Sequence, residues 1–176
     1  GVVAGTIDNS KAISITISAE DETTPSTVLG NNIIGGLSGV VKGDSQIKNI
    51  VVSNLSLKAN ALATGAVNRY QRTSQNTNVN TNLSYAGGVI GVADIYTEAE
   101  KSSSYHKTDT QIANLSNLIV NGIINIRASS AGGVIGYLGP QTNLRDVTLE
   151  IQGDEASKIV AYNFFAGGIV AECYGN

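Results

Sequence analysis

The chain has 176 residues, within the usual size of one domain, and 41% of them are hydrophobic while only 14% are charged. That charged fraction lies well below the roughly 25% typical of soluble domains, and Ser, Thr, Asn and Gly supply the polarity instead, which suits sheets and turns better than helices. The net charge of −3 and pI near 5.0 exclude the basic surface that nucleic acid requires, and no stretch approaches the roughly 20 apolar residues of a membrane span.

A short glycine motif recurs five times along the chain. Each copy has a Gly, two mostly aliphatic residues and a small residue, an additional Gly precedes the last four copies, and the copies begin at Gly1, Gly36, Gly88, Gly133 and Gly168. Their spacings of 35, 52, 45 and 35 residues are typical of stacked repeats, in which each unit buries its apolar face against its neighbour.

The paired glycines predict a sharp corner, because Gly accepts positive φ without penalty and leaves no Cβ where successive coils pack closely. The aliphatic pair that follows favours the start of a β-strand. Ala4 and Ala171 replace the final Gly in the first and last copies, which puts strict regularity between units in doubt.

An apolar triplet with three-then-two spacing follows four of the motifs. Its last step of two residues is strand periodicity, with both side chains on one face. A short polar residue, which can cap a turn or join a ladder of stacked side chains, precedes each middle position. The pattern predicts one inward-facing column formed by Ile15, Ile50, Leu118 and Val147. The triplets are Ala12, Ile15 and Ile17; Ile47, Ile50 and Val52; Leu115, Leu118 and Val120; Leu144, Val147 and Leu149, and the polar residues are Ser14, Asn49, Asn117 and Asp146.

Two units are longer than 35 residues, and their additional residues are polar and unpatterned. We assign these insertions, at about 68–82 and 96–110, to loops that project from one rung. They are the first candidates for binding, although such insertions are also tolerated without function because loop closure grows slowly in cost with length.

The patterns together predict an all-β protein that forms a single β-solenoid over residues 1–176. Each unit is expected to contain a glycine corner, a short strand, a polar turn and a second strand, stacked about 4.8 Å from the next unit. We expect the chain to be a fragment of a longer repeat array, because Gly1 and Asn176 both fall within motifs.

The phrase Ala-Gly-Gly-Val-Ile-Gly at 86–91 and 131–136, followed by an element such as Ile47 to Val52, resembles the GLUG-type repeat. Such repeats occur in large bacterial surface proteins, including filamentous-haemagglutinin-like adhesins and the non-catalytic part of some IgA-cleaving metalloproteases. The resemblance implies a right-handed parallel β-helix, exported to the bacterial surface, that serves as a stalk or an adhesive surface.

Catalytic and metal-binding constellations are poorly supported by the sequence. The single His106 and the single Cys173 cannot build a zinc hydrolase site, and no Gly-x-Ser-x-Gly element supports a nucleophilic serine. We interpret His106 as a solvated loop residue and Cys173 as a small buried residue. No metal and no cofactor are therefore expected, and no calcium loop of the Asp-x-Asp-x-Asp-Gly kind occurs.

Carboxylates and tyrosines leave one alternative open. Polysaccharide-cleaving chemistry needs two carboxylates roughly 5 to 10 Å apart, whereas most acidic residues here fall in predicted turns, where we interpret them as solvated charges. Five tyrosines could stack on sugars, although those beside strand-like runs, Tyr137 and Tyr162, more commonly pack. The acidic residues are Glu20, Asp21, Glu22, Asp94, Glu98, Glu100, Asp154 and Glu155, and the other tyrosines are Tyr85, Tyr96 and Tyr105.

The sequence favours a non-enzymatic structural or adhesive repeat segment of a secreted or cell-surface bacterial protein. Its expected partners are a host glycan or host protein and the neighbouring repeats of the parent chain, without nucleic acid or membrane insertion. Two alternatives remain at this stage. One is a carbohydrate-active β-helix with its cleft beside the two insertions, and the other is a segment that assembles end to end through exposed strand edges.

Overall fold

The computed structural model describes residues 1–21, 23–60, 84–93, 113–139, 142–152 and 157–174. The predicted insertions at 68–82 and 96–110 lie outside these ranges. Within them the chain is all-β, as predicted, and contains no helix. The fifteen strands are β1 (Ala4–Asp8), β2 (Lys11–Ser18), β3 (Ser26–Gly30), β4 (Ile33–Gly35), β5 (Ser38–Lys42), β6 (Gln46–Ala59), β7 (Tyr85–Gly87), β8 (Ile90–Ala93), β9 (Ala113–Ala128), β10 (Ser130–Gly132), β11 (Ile135–Leu138), β12 (Thr142–Ile151), β13 (Lys158–Ala161), β14 (Ala166–Gly167) and β15 (Val170–Cys173).

The strands form three parallel sheets. The short sheet has the order β4-β7-β10-β14, and the middle sheet has the order β1-β5-β8-β11-β15. The long sheet has the order β2-β6-β9-β12, and β3 and β13 pair with the second halves of β6 and β9. All of the pairings are parallel, so the chain must leave a sheet and return before it adds the next strand.

The chain visits the short, middle and long sheets in the same order on every circuit, and we call one circuit a rung. The first rung is β1 to β3, the second is β4 to β6, the third is β7 to β9, the fourth is β10 to β13, and the fifth is β14 and β15. This arrangement is consistent with a β-solenoid. A full rung has three strand segments, whereas the sequence predicted two, because a short strand also precedes each glycine corner.

The predicted inward-facing column is confirmed. Ile15 pairs with Ile50, Ile50 with Leu118, and Leu118 with Val147. The two central side chains are fully buried, while Ile15 and Val147 in the outer rungs are partly buried and pack against the same core. The other members of the four triplets pair in the same register, so the core is a stack of aliphatic columns.

The three-then-two spacing has a local backbone cause. The polar residue before each middle position is left-handed, with φ of 58° at Ser14, 56° at Asn49, 51° at Asn117 and 56° at Asp146. One left-handed residue interrupts the alternation of the strand, so the next inward side chain follows three residues later instead of two. The Asn117 side-chain amide also donates to Asn49 Oδ1 at 2.9 Å, which makes one step of the predicted ladder.

One predicted reason for the paired glycines is wrong, because no motif glycine has a positive φ. The other is confirmed, since successive rungs approach so closely that a Cβ has no space. A Cβ on Gly36 would collide with the carbonyl oxygen of Gly88, and one on Gly88 would collide with that of Gly133. Each pair ends a short strand, and the aliphatic residue that follows lies buried at the corner, as Val89 does.

The alignment of the first motif is also wrong by one residue. Ala4 pairs with Ser38, and the hydrogen bonds of Val2 and Val3 match those of the next rung when Gly1 is set beside Gly35. Gly5 therefore takes the final glycine position, and Ala4 does not replace it. The missing residue is absorbed at the following corner, where Asn9 Oδ1 accepts from the Asp44 N–H at 2.9 Å.

Replacement of Gly88 by Ala is predicted to destabilise the fold by about 1 to 3 kcal/mol, because the new methyl group overpacks the corner against the backbone of the next rung. Urea unfolding of the purified chain measures this loss. Gly168→Ala is the matched control, since a Cβ at the same motif position in the last rung meets no atom within 4 Å. Equal midpoints for the two variants would contradict the close-approach explanation.

Replacement of Asn117 by Val is predicted to cost about 1 to 2 kcal/mol, because a β-branched residue is strained at a φ of 51°. Asn117→Gly should lose less, since Gly accepts that backbone conformation. Asn114→Val on the same strand controls for the loss of a side-chain amide. Asn114 Oδ1 also takes part in a hydrogen bond between rungs, which it accepts from the Asn143 side-chain amide. A lower melting temperature for Asn114→Val than for Asn117→Val would contradict the left-handed backbone conformation as the reason for Asn at position 117.

Candidate ligand-binding groove

Many of the side chains that the sequence singled out lie outside the described residues. These are Glu22, Asp94, Tyr96, Glu98, Glu100, Tyr105, His106, Asp154 and Glu155. Glu20 and Asp21 are described, and they lie in the turn between β2 and β3, as predicted. The Thr23 hydroxyl donates to Asp21 Oδ1 at 2.7 Å and the Thr23 backbone N–H donates to it at 2.8 Å. These hydrogen bonds lower the pKa of Asp21, because they stabilise the carboxylate.

Three of the four described tyrosines, Tyr85, Tyr137 and Tyr174, form a packed column. Tyr85 is only 1% exposed, so its candidacy for stacking on a ligand is wrong. Its ring meets that of Tyr137 edge to face at a centroid distance of 5.6 Å, and Tyr137 meets Tyr174 at 5.6 Å. Tyr137 therefore packs, as expected, whereas Tyr162 is 46% exposed.

Two neighbouring residues at the end of β15, Glu172 and Cys173, were not placed correctly by the sequence. Cys173 is exposed, and its interpretation as a small buried residue is wrong. Glu172, which the sequence did not single out, is buried and accepts a hydrogen bond from Ser130 Oγ at 2.8 Å. The alignment of the repeats could have identified Glu172, because it occupies the position of Tyr137, an aromatic residue in the preceding rung, with which it pairs.

A polar groove of about 770 Å³ crosses the long sheet from the first rung to the fourth. Its axis follows one outward-facing column, in which Ser18 pairs with Ser53, Ser53 with Asn121, and Asn121 with Glu150. We call it the polar groove, and it is lined by Ser18, Ala19, Glu20, Ser53, Asn54, Asn121, Gly122, Glu150 and Gln152.

The floor of the polar groove lies at a bend in the two longest strands. Asn54 in β6 has a φ of 53°, and Gly122 in β9 has a φ of 78°. The register shifts between Ser53 and Leu55, where β9 has one more residue than β6. Asn54 Oδ1 accepts from the Ile123 N–H at 2.8 Å, and a Cβ on Gly122 would collide with that oxygen. Glycine at 122 thus gives the Asn54 side chain the space to fix the bend.

The first and fourth rungs have more residues beside the outward-facing column than the two rungs between them. Eight positions separate Ser18 from Ser26 in the first rung, but only two separate their partners, Ser53 and Leu55. In the fourth rung, eight positions separate Glu150 from Lys158, where four separate Asn121 from Asn125. The second and third rungs continue through the bend as the single strands β6 and β9, which differ by one residue there.

The chemical character of the polar groove is neutral at its floor and anionic at its ends. Hydroxyl and amide groups form the floor, where Ser53 Oγ donates to Asn121 Oδ1. Glu20 and Glu150 contribute carboxylates, and among the described residues no Lys or Arg lines the groove. A ligand in this groove would meet many hydrogen-bonding groups and little apolar surface.

The described residues contain no group of three or more His, Cys, Asp or Glu side chains that could hold a metal ion. The same residues include no helix of the length and apolar character needed to cross a bilayer. Comparison of the chain with protein-family models, with curated proteins and with solved structures finds no match. The resemblance to GLUG-type repeats therefore continues to depend on the motifs alone.

Proposed function

We propose that this chain is a non-enzymatic structural and adhesive repeat segment of a secreted or cell-surface bacterial protein, folded as a right-handed parallel β-helix. The observation that carries the proposal is the unbroken register of the middle sheet over five rungs, β1-β5-β8-β11-β15. Each rung is held by its neighbours through backbone hydrogen bonds and aliphatic columns, so the segment gains length without a central globular core. A GLUG-type surface repeat has the same requirement.

The right-handed coil is supported by the general chirality of parallel crossovers. A strand that leaves a sheet and returns parallel to itself makes a right-handed connection in about 98% of cases. The rule applies here because the described strands of successive rungs pair in parallel.

The carbohydrate-active alternative is less well supported by the described residues. Glu20 and Glu150 are the two carboxylates of the polar groove, but they belong to the first and fourth rungs. Three rung spacings amount to about 14 Å, whereas glycosidase carboxylates lie roughly 5 to 10 Å apart. Asp94, Glu98 and Glu100, the other candidates for this chemistry, lie outside the described residues.

End-to-end assembly remains the second alternative, because strands at an open sheet edge present backbone groups with which another copy can pair. The structure describes one chain, and the solution experiment below distinguishes this alternative from the proposal.

We predict that latex beads coated with the folded chain bind to cultured epithelial cells, and that soluble folded chain competes with them. Chain unfolded in urea should not compete, because the presented surface exists only in the stacked rungs. Flow cytometry of the bead-bound cells gives the readout. Absence of binding, or equal competition by unfolded chain, would contradict the adhesive role.

The same preparation is predicted to leave polysaccharides intact. Reducing-end assays on neutral and acidic polysaccharides should give no release above buffer. Turnover that is lost in a variant with Asp94→Asn, Glu98→Gln and Glu100→Gln would overturn the non-enzymatic proposal in favour of the carbohydrate-active alternative.

The chain is predicted to be monomeric, because the proposed structural and adhesive role requires no pairing between copies. Multi-angle light scattering over a hundredfold range of concentration should give the mass of one chain, 18.2 kDa. A mass that rises with concentration, and falls again when Leu29 in the first rung is replaced by Lys, would instead support assembly through the strand edges.

A further inference from the structure

We propose that the polar groove binds a short, linear, uncharged oligosaccharide that lies along the axis of the rungs. This inference rests on the proposed adhesive function and names the class of ligand that one surface of the segment would take. It follows from the shape of the groove, from the chemistry of its lining and from the fixed geometry of its floor.

The shape of the polar groove suits a short chain of sugar rings. It extends over four rungs, or about 14 Å, and its volume of about 770 Å³ lies within the range of small-molecule sites. The described lining runs from Glu20 in the first rung to Gln152 in the fourth. That length fits a few sugar rings.

The lining matches the hydroxyl groups of a sugar. The amide of Asn121 and the hydroxyl of Ser18 can each donate and accept, and the carboxylates of Glu20 and Glu150 accept from hydroxyl donors. Ser53 Oγ can accept, since its own proton is donated to Asn121. Those carboxylates would repel an acidic sugar, and Ala19 is the one apolar side chain among the described lining residues. The groove therefore favours an uncharged sugar over an acidic one or a lipid.

A peptide is a poorer match to the same groove. An extended peptide gains most of its affinity by adding a strand to an open sheet edge. The floor strands β6 and β9 offer no such edge, because β6 pairs with β2 and β9, and β9 pairs with β6 and β12. A basic peptide could meet Glu20 and Glu150, but the floor between them carries no charge.

The floor of the groove is held in place before any ligand arrives. Ser53 donates to Asn121, Asn54 accepts from the Ile123 N–H, and the strands that carry them are paired on both sides. Side chains that are fixed in the free protein lose little entropy when they bind a ligand. A weak but specific interaction with a sugar can therefore be supported by few hydrogen bonds.

The test uses three neutral trisaccharides, cellotriose, maltotriose and triacetylchitotriose, with trigalacturonate and trilysine as acidic and basic probes. Titration of the isotope-labelled chain, followed by amide NMR, should show saturable shifts at Ser53, Asn121 and Gly122 for at least one neutral trisaccharide. Asn121→Ala is expected to weaken that binding about tenfold, the effect of one good hydrogen bond. Glu150→Ala, at an exposed position, should weaken it as well without any threat to folding.

Asn114→Ala is the matched control, since Asn114 lies outside the groove on the same strand as Asn121 and also bonds to the next rung. The affinity of the Asn114→Ala variant for the neutral trisaccharide should equal that of the unchanged chain. The proposal is overturned if no neutral trisaccharide shifts these amides, if Asn121→Ala and Glu150→Ala bind as well as the control, or if only trigalacturonate or trilysine binds. Beads that adhere to cells while every trisaccharide fails would overturn the groove proposal and leave the adhesive function standing.

Discussion

The close approach of backbone to backbone at the glycine corners is the constraint on which the rest of the structure depends. Parallel strands stack at the hydrogen-bonding distance of about 4.8 Å, and at these corners a carbonyl oxygen of one rung occupies the place that a Cβ of the next would need. The corners fix where each rung turns. The register of the middle sheet, the inward aliphatic columns and the outward polar column all follow from that alignment.

Regular stacking also explains why the polar groove lies where the chain departs from the repeat. Inside the coil, a change in one rung must fit the rungs above and below, so the columns stay aliphatic. On the outer face, the column of Ser18, Ser53, Asn121 and Glu150 is polar, and β6 and β9 bend beside it at Asn54 and Gly122. The polar groove lies at this bend, and the proposed ligand follows from its uncharged centre.

Outside the main core, a smaller cluster fills the angle between the short and middle sheets. Ile33, Tyr85, Val92 and Tyr137 pack there in successive rungs. In the last two rungs the same angle holds Ser130 and Glu172, joined by a hydrogen bond. The hydrogen bond from Ser130 satisfies the buried carboxylate of Glu172, whereas apolar and aromatic side chains pack at this place in the earlier rungs. One position of the repeat is therefore filled in two different ways.

The sequence by itself determined the elements that depend on local spacing. The triplets predicted the column of Ile50 and Leu118, because strand periodicity and a left-handed residue such as Asn117 act over a few residues. Only the tertiary structure decided the one-residue correction at Ala4 and the existence of the polar groove. Each of these depends on which residues of different rungs lie side by side, as Ser18 and Glu150 do in one column, and that register is set by backbone pairing between segments far apart in the chain.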